Sequence, residues 1–260
     1  MPNSQSLARE FPILEFDSAR EAIIEPSHVL KSIDVPEHCV LCFFREVIQK
    51  LINEGKAKSV FALNWENARH VLYEIEMNGK RLAVMQAAVG APLSAGLLEE
   101  VIFLGSRKFI ACGGAGVLDN EIAVGHFIVP SSAVRDEGMS YHYLPPAREV
   151  SASPEGVAAI ERVLKSKQIP HIVGKTWTTD AVYRETRDKV ALRKSEGCIT
   201  VEMEAAAFFA VAQFRGVTFA QILYGGDDVS GGEWDSRGWH SRNDIRENLF
   251  WLAAEACLEL

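Results

Sequence analysis

The stretch Val201-Glu202-Met203-Glu204-Ala205-Ala206 sets carboxylates on either side of a methionine, where a buried strand should give way to an apolar helix. Carboxylates are costly to bury without partners. Sugar hydroxyls would be suitable partners, because an ionised carboxylate accepts paired hydrogen bonds from a vicinal diol while the soft Met203 side chain packs on the ribose face. Helix-start amides are the other available partners, since acids are favoured in a first helical turn. Both readings are open from these residues. Asp227-Asp228, after Gly225-Gly226, has the composition of a solvated turn, but it follows an apolar run. The stretch Trp234-Asp235-Ser236-Arg237-Gly238-Trp239-His240 can either close over a site or dock on the surface by its tryptophans. Cys39 and Cys42 form a C-x-x-C, yet Val40, Leu41, Phe43 and Phe44 around them read as a buried strand. No second Cys/His pair completes a zinc site, so no metal is expected.

The elements that must hold these residues follow from periodicity and punctuation. The apolar run 38–44 reads as a strand and 46–52 as an amphipathic helix ending at Gly55. Segments 71–75 and 81–89 flank Asn78-Gly79 and predict a β-hairpin. Gly90-Ala91-Pro92 opens a helix carrying Leu93, Leu97, Leu98, Val101 and Ile102 on helical spacing, and Gly105 closes it. Strands are predicted at 109–112, 127–129, 172–177, 198–201 and 219–224, with Gly113-Gly114-Ala115-Gly116 as a turn and the last strand ending at Gly225-Gly226. Helices are predicted at 154–167, 205–214 and 244–258. Strands and helices alternate and several strands are continuously apolar, as when helices cover both faces of a sheet. The expected fold is a single α/β domain with a mixed, largely parallel central sheet flanked by helices. Residues 1–37 form a leader packed on the core, and 38–260 the domain itself. In such sheets ligands bind beyond the carboxyl ends of strands, which points to 113–116, 178–180, 202–204 and 225–228.

Bulk properties narrow the partners. With 260 residues, 48% of them hydrophobic and 24% charged, the chain has ordinary globular composition. A net charge of -8 without a basic cluster argues against nucleic acid and for a small substrate. The start MPNSQSLAREFPILEF lacks the pattern of a secretory signal, no window has the length of a membrane span, and the five cysteines do not form a disulfide framework. A cytoplasmic location is expected.

Taken in order, Val89-Gly90-Ala91-Pro92, Gly113-Gly114-Ala115-Gly116, Val124-Gly125-His126, Thr178-Thr179-Asp180, the Val-Glu-Met-Glu-Ala-Ala run and Gly226-Asp227 give residues 60–258 a pattern that resembles the type I nucleoside phosphorylase and nucleosidase family. The resemblance implies cleavage of a nucleoside N-glycosidic bond, phosphorolysis ahead of hydrolysis, with no cofactor. It gives Met203 and Glu204 the ribose, with Glu202 beside them, and Asp227 the protonation of the departing base. Cleavage passes through an oxocarbenium-like sugar, and a base leaves more easily once protonated. Burial, with Asp228 as a like-charged neighbour, would raise the carboxyl pKa toward that task. Gly113 and Gly114 would line the substrate site, with Val182 where the family stacks an aromatic on the base. A homo-oligomer, a dimer or a trimer of dimers, is implied as well.

Departures from the pattern sharpen the question of the acceptor. Where the phosphorylases grip phosphate with an Arg and a Ser or Thr, this chain has Ala111 and Gly114. Arg45 could bind phosphate by a charge-assisted fork; Glu46 could instead activate a water, as nucleosidases do with an acid in that region. Each can equally be a solvated helix-start charge. The Gln-x-Arg pair that reads uracil is absent after Val182, which favours a purine or an unusual base. A protein that binds nucleosides without turning them over is the alternative from another class.

Overall fold

The computed structural model describes residues 7–260. In chain order these form β1 (His38–Cys42), α1 (Arg45–Asn53), β2 (Lys58–Asn64), β3 (Arg69–Met77), β4 (Lys80–Gln86), α2 (Ala91–Leu104), β5 (Lys108–Val117), β6 (Phe127–Asp136), β7 (Glu149–Ser151), α3 (Pro154–Ser166), β8 (His171–Thr179), α4 (Arg187–Ser195), β9 (Cys198–Glu202), α5 (Ala205–Arg215), β10 (Thr218–Asp228) and α6 (Asn243–Leu258). Parallel ladders join β4, β1, β5 and β10, and also β6, β8 and β9. Antiparallel pairing of β9 with β5 and of β10 with β6 closes β5, β9, β8, β6 and β10 into a ring, from which β1, β4, β3 and β2 run out as an arm.

Both faces of β1 and of the strands beside it are covered. Cys39 and Leu41 of β1 pack with α2 and α5, whereas Val40 and Cys42 pack on the side of α1, α3 and α6. Adjacent residues of a strand point to opposite faces, which is why an uninterrupted apolar run was needed here. The same alternation parts Cys39 from Cys42, three positions apart, and both thiols are fully buried. Their C-x-x-C is therefore core, and among the described residues no group of metal-binding side chains occurs.

The hairpin forms as its turn dictates, with Asn78 and Gly79 at φ of 55° and 72° joining β3 to β4. Gly90, φ 96°, precedes α2 and Gly105 follows it. Of the leader, residues 1–6 lie outside the described residues; Leu30, Ile33 and Val35 pack against the core, and Glu25 pairs with Arg215 of α5.

Two predicted strand ends are corrected. Gly113-Gly114-Ala115-Gly116 continues β5, and Gly225 and Gly226 continue β10, which runs on to Asp228. The glycines serve close packing rather than chain reversal. A Cβ on Gly113 would stand 2.9 Å from the Phe43 ring, and one on Gly114 3.1 Å from the Tyr224 ring. β2 and α4 escape sequence periodicity. β2 is a half-exposed edge strand, and α4 buries only Val190 and Arg193.

Candidate active site

The carboxyl ends of β5, β9 and β10 meet around a cavity of about 280 Å³, which the turn after β8 and the start of α6 complete. Glu202, the last residue of β9, is 7% exposed. Its Oε2 accepts the backbone N–H groups of Glu204 and Ala205 at 2.7 and 2.6 Å, and its Oε1 accepts the Thr178 hydroxyl at 2.6 Å. Glu202 thus satisfies helix-start amides, while a wall of it still faces the cavity. Glu204, 5% exposed, takes only backbone amides, from Gly90 at 2.6 Å on Oε1 and from Met203 at 3.3 Å on Oε2. Burial pushes Glu202 up to about 7, and burial followed by the charge of Glu202 pushes Glu204 up to about 8. Among the described residues no cation offsets either. Both carboxyls therefore hold a proton more readily than a free one, and hydroxyl donors from a ligand would favour the ionised form. Met203, half-buried between them, lines the same cavity.

Asp227 reaches the cavity because the β10–β5 ladder bulges: Gly225 pairs with Ala115 and Asp228 with Val117, so β10 carries one residue more than its partner. A bulge re-aims side chains. Asp227 turns inward, with its Oδ2 accepting the Trp234 indole N–H at 2.7 Å. Asp228 turns away, accepting the Ser230 N–H at 2.7 Å and bridging to Asp235 through the backbone. The two tryptophans of the Trp234–His240 loop are placed differently. Trp234 anchors Asp227 while itself 65% exposed, and Trp239 forms part of the cavity wall.

The structure gathers Glu202, Met203, Glu204, Gly114, Val182 and Asp227 around the cavity and leaves Gly113, Asp228, Arg45 and Glu46 off its wall. Gly113 lies under Phe43. Arg45 lines a neighbouring cleft with Gln49, Arg69 and His70. Glu46 accepts from Arg246 Nη1 at 2.7 Å, and it is Arg246 that enters the cavity, between the rings of Phe44 and Trp239 and with its Nε 3.3 Å from the Tyr224 hydroxyl. Arg246 is the only cationic side chain on the wall among the described residues.

Glu185, Gln221 and Arg246 also line the cavity and had no local signature, while Phe44 and Trp239 reach it from a segment read as a strand and one read as a loop. Gln221 sits beside Ala111 in the β10–β5 register, is 1% exposed and has an Oε1 with no hydrogen-bond partner. Ala111 itself is fully buried, and Gln221, a neutral amide, stands beside it on the next strand. Tyr224 fills the space over Gly114 in the same way. Only the strand register could have revealed these exchanges.

Comparison with known proteins agrees with this architecture. Over part of its length the chain is similar to the guanosine phosphorylase of Halorubrum lacusprofundi, 28% identical over 161 residues that make up 60% of this chain and 65% of that protein. It is likewise similar to the uridine phosphorylase of Haemophilus influenzae, 32% identical over 160 residues, 56% of this chain and 64% of that protein. The match thus spans slightly less than two thirds of these relatives' length. Among solved structures, the fold matches a purine nucleoside phosphorylase from Toxoplasma gondii in complex with immucillin-H, with a TM-score of 0.75 and 21% identity over 87% of this chain and 92% of that one. It matches a uridine phosphorylase from Vibrio fischeri with a TM-score of 0.72 and 21% identity over 91% and 95%. The phosphorylase superfamily profile covers residues 37–249, from the start of β1 into α6 and across every strand end that builds the cavity, and the chain belongs to that superfamily.

Proposed function

We propose that this protein cleaves the N-glycosidic bond of a nucleoside, transferring the ribosyl group of a purine nucleoside to phosphate. The observation that carries this reading is the convergence of Glu204 and Met203 from one strand end with Asp227 from another on one cavity. Glu204 accepts from the ribose diol and stabilises the developing cationic sugar, Met203 packs on the sugar face, and Asp227 stands where the base departs. Val182, 46% exposed on its turn, offers a contact surface for the base. Phosphate as acceptor is supported by the relatives' names, guanosine phosphorylase and uridine phosphorylase, and by Arg246 as a guanidinium donor on the wall.

A second reading, hydrolysis, has its own support. Glu185, Glu202, Glu204 and Asp227 line the cavity against Arg246 alone, and this charge balance disfavours a dianion. Incubation with a panel of nucleosides, with and without phosphate, separates the readings. Ribose 1-phosphate formed only with phosphate supports the first, and ribose formed without it supports the second. Bound nucleoside with no product under either condition would leave a binding protein.

A role in purine salvage, a cytoplasmic site of action and assembly into a homo-oligomer belong to the same proposal. Among the described residues no helix is long and apolar enough to cross a membrane. The assembly is supported by Val89, 72% exposed on a wall shared by the cavity and the cleft of Arg45, Arg69 and His70, where a neighbouring chain would close the site.

A further inference from the structure

Glu185 follows the short turn Val182–Arg184, and its carboxyl faces the same cavity as Asp227, from the opposite chain segment. Among the described residues it has no hydrogen-bond partner. The carboxyl of Asp227 is held differently, with Oδ2 taking the Trp234 N–H. The other charged groups around Glu185 are Arg187, bound to the Gly232 carbonyl at 2.8 Å, and Glu233, both in the adjoining cleft, with Glu202, Glu204 and Arg246 across the cavity. None is a cation paired with Glu185. Gln221 adds an unpartnered, buried carbonyl oxygen on the same wall. Polar groups left without partners inside a cavity mark where a ligand would supply them.

We propose that Glu185 and Asp227 act together on the departing base as an acid pair, Glu185 holding the proton that the base takes up and Asp227 serving as the fixed acceptor that orients it. The inference rests on the nucleoside-cleaving reading. As the C1′–N9 bond breaks, its electron pair moves into the purine, and N7 takes the proton from the Glu185 carboxyl. The acceptor forms its bond to C1′ and releases a proton to solvent, and Glu185 is reprotonated from solvent, so no net charge is left on the protein. Burial, then the charge of Asp227, pushes Glu185 up to about 7, so the proton is present below that pH and lost above it.

The test compares guanosine with 7-methylguanosine, whose base already carries a positive charge and leaves without protonation. In Glu185→Gln, kcat on guanosine at pH 7 should fall on the order of 10²-fold, while kcat on 7-methylguanosine changes little. The decline of wild-type guanosine turnover as pH rises through about 7 should be missing from the variant. Glu185→Asp, which keeps a carboxyl, should recover part of the loss. Equal losses on both substrates, unchanged guanosine turnover, or an Asp variant no better than Gln with native circular dichroism would each overturn the acid pair. A wild-type protein that cleaves no nucleoside, with or without phosphate, would instead sink the functional reading on which the pair depends.

Discussion

At the scale of single residues, the two adjacent aspartates make the sharpest contrast. Asp227 faces the cavity and Asp228 is engaged in a turn, although they share a strand end and a charge. Asp227→Asn should lower kcat on guanosine by about 10²- to 10⁴-fold, the usual range for general acid–base catalysis, with little change in KM. Asp228→Asn should leave kcat within a few fold. Steady-state kinetics on both variants decides it, and the reverse order would place the carboxylate that orients the base one residue along. The carboxylates of β9 predict a trade between stability and activity. Glu202 and Glu204 are held above their unfolded pKa, so the native state binds more protons than the unfolded chain over the range from about 4.5 to about 8. Protein without substrate should therefore lose stability as pH rises through that window. Glu204→Gln removes the charge and should raise the melting temperature at pH 8 by about a few degrees while cutting turnover. A melting temperature lowered at pH 8 would show that the amides of Gly90 and Met203 outweigh the cost of burying the charge. The six-residue run made the two acids conspicuous in the sequence. It left open which would take the helix-start amides, since that depends on Thr178 of a different strand reaching Glu202.

At the scale of elements, periodicity located the strands and helices that are strongly patterned and failed where packing overrides local signals. The glycines of β5 look like a turn because nothing nearby in sequence tells of Phe43 and Tyr224, which arrive from β1 and β10 and occupy the space that side chains would need. The same exchange hides much of the cavity wall. Gln221 and Tyr224 lie on β10 in register with Ala111 and Gly114 of β5, so the large polar side chains stand on one strand and the small residues on its neighbour. Arg246 is as hard to foresee, since α6 brings it back across some 200 residues to Glu46. This packing is testable at Gly114. Gly114→Ala should destabilise the protein by about 1–3 kcal/mol, the common range for overpacking, because a Cβ would press on the Tyr224 ring. Adding Tyr224→Leu, which removes the ring, should make the Ala substitution less costly than it is alone. Denaturant titration of the single and double variants measures the coupling, and strictly additive effects would mean that ring and strand do not constrain each other.

At the scale of the whole molecule, the closed ring and the open arm divide the work. The ring protects its strands from further pairing, and the ends of β5, β9 and β10, with the bulge in β10, bring the cavity-lining groups together on its rim. The arm is joined to the ring through β1 and β5 and ends in the half-exposed edge β2. Between the two parts, Val89 stands on a wall common to the active-site cavity and the cleft of Arg45, Arg69 and His70. A large aliphatic side chain left 72% exposed at the mouth of a polar site is the kind of feature a neighbouring subunit covers. If a second copy closes the site there, assembly and substrate affinity should be coupled. Sedimentation velocity at micromolar concentration should then show a dimer or a multiple of dimers, and Val89→Lys should shift it toward monomer while raising KM more than it lowers kcat. The two effects should share one cause, so raising the protein concentration should restore both assembly and affinity in the variant. A wild-type protein that sediments as a monomer with full activity would remove the need for a partner, and a dimer unaffected by Val89→Lys would place the interface on another face.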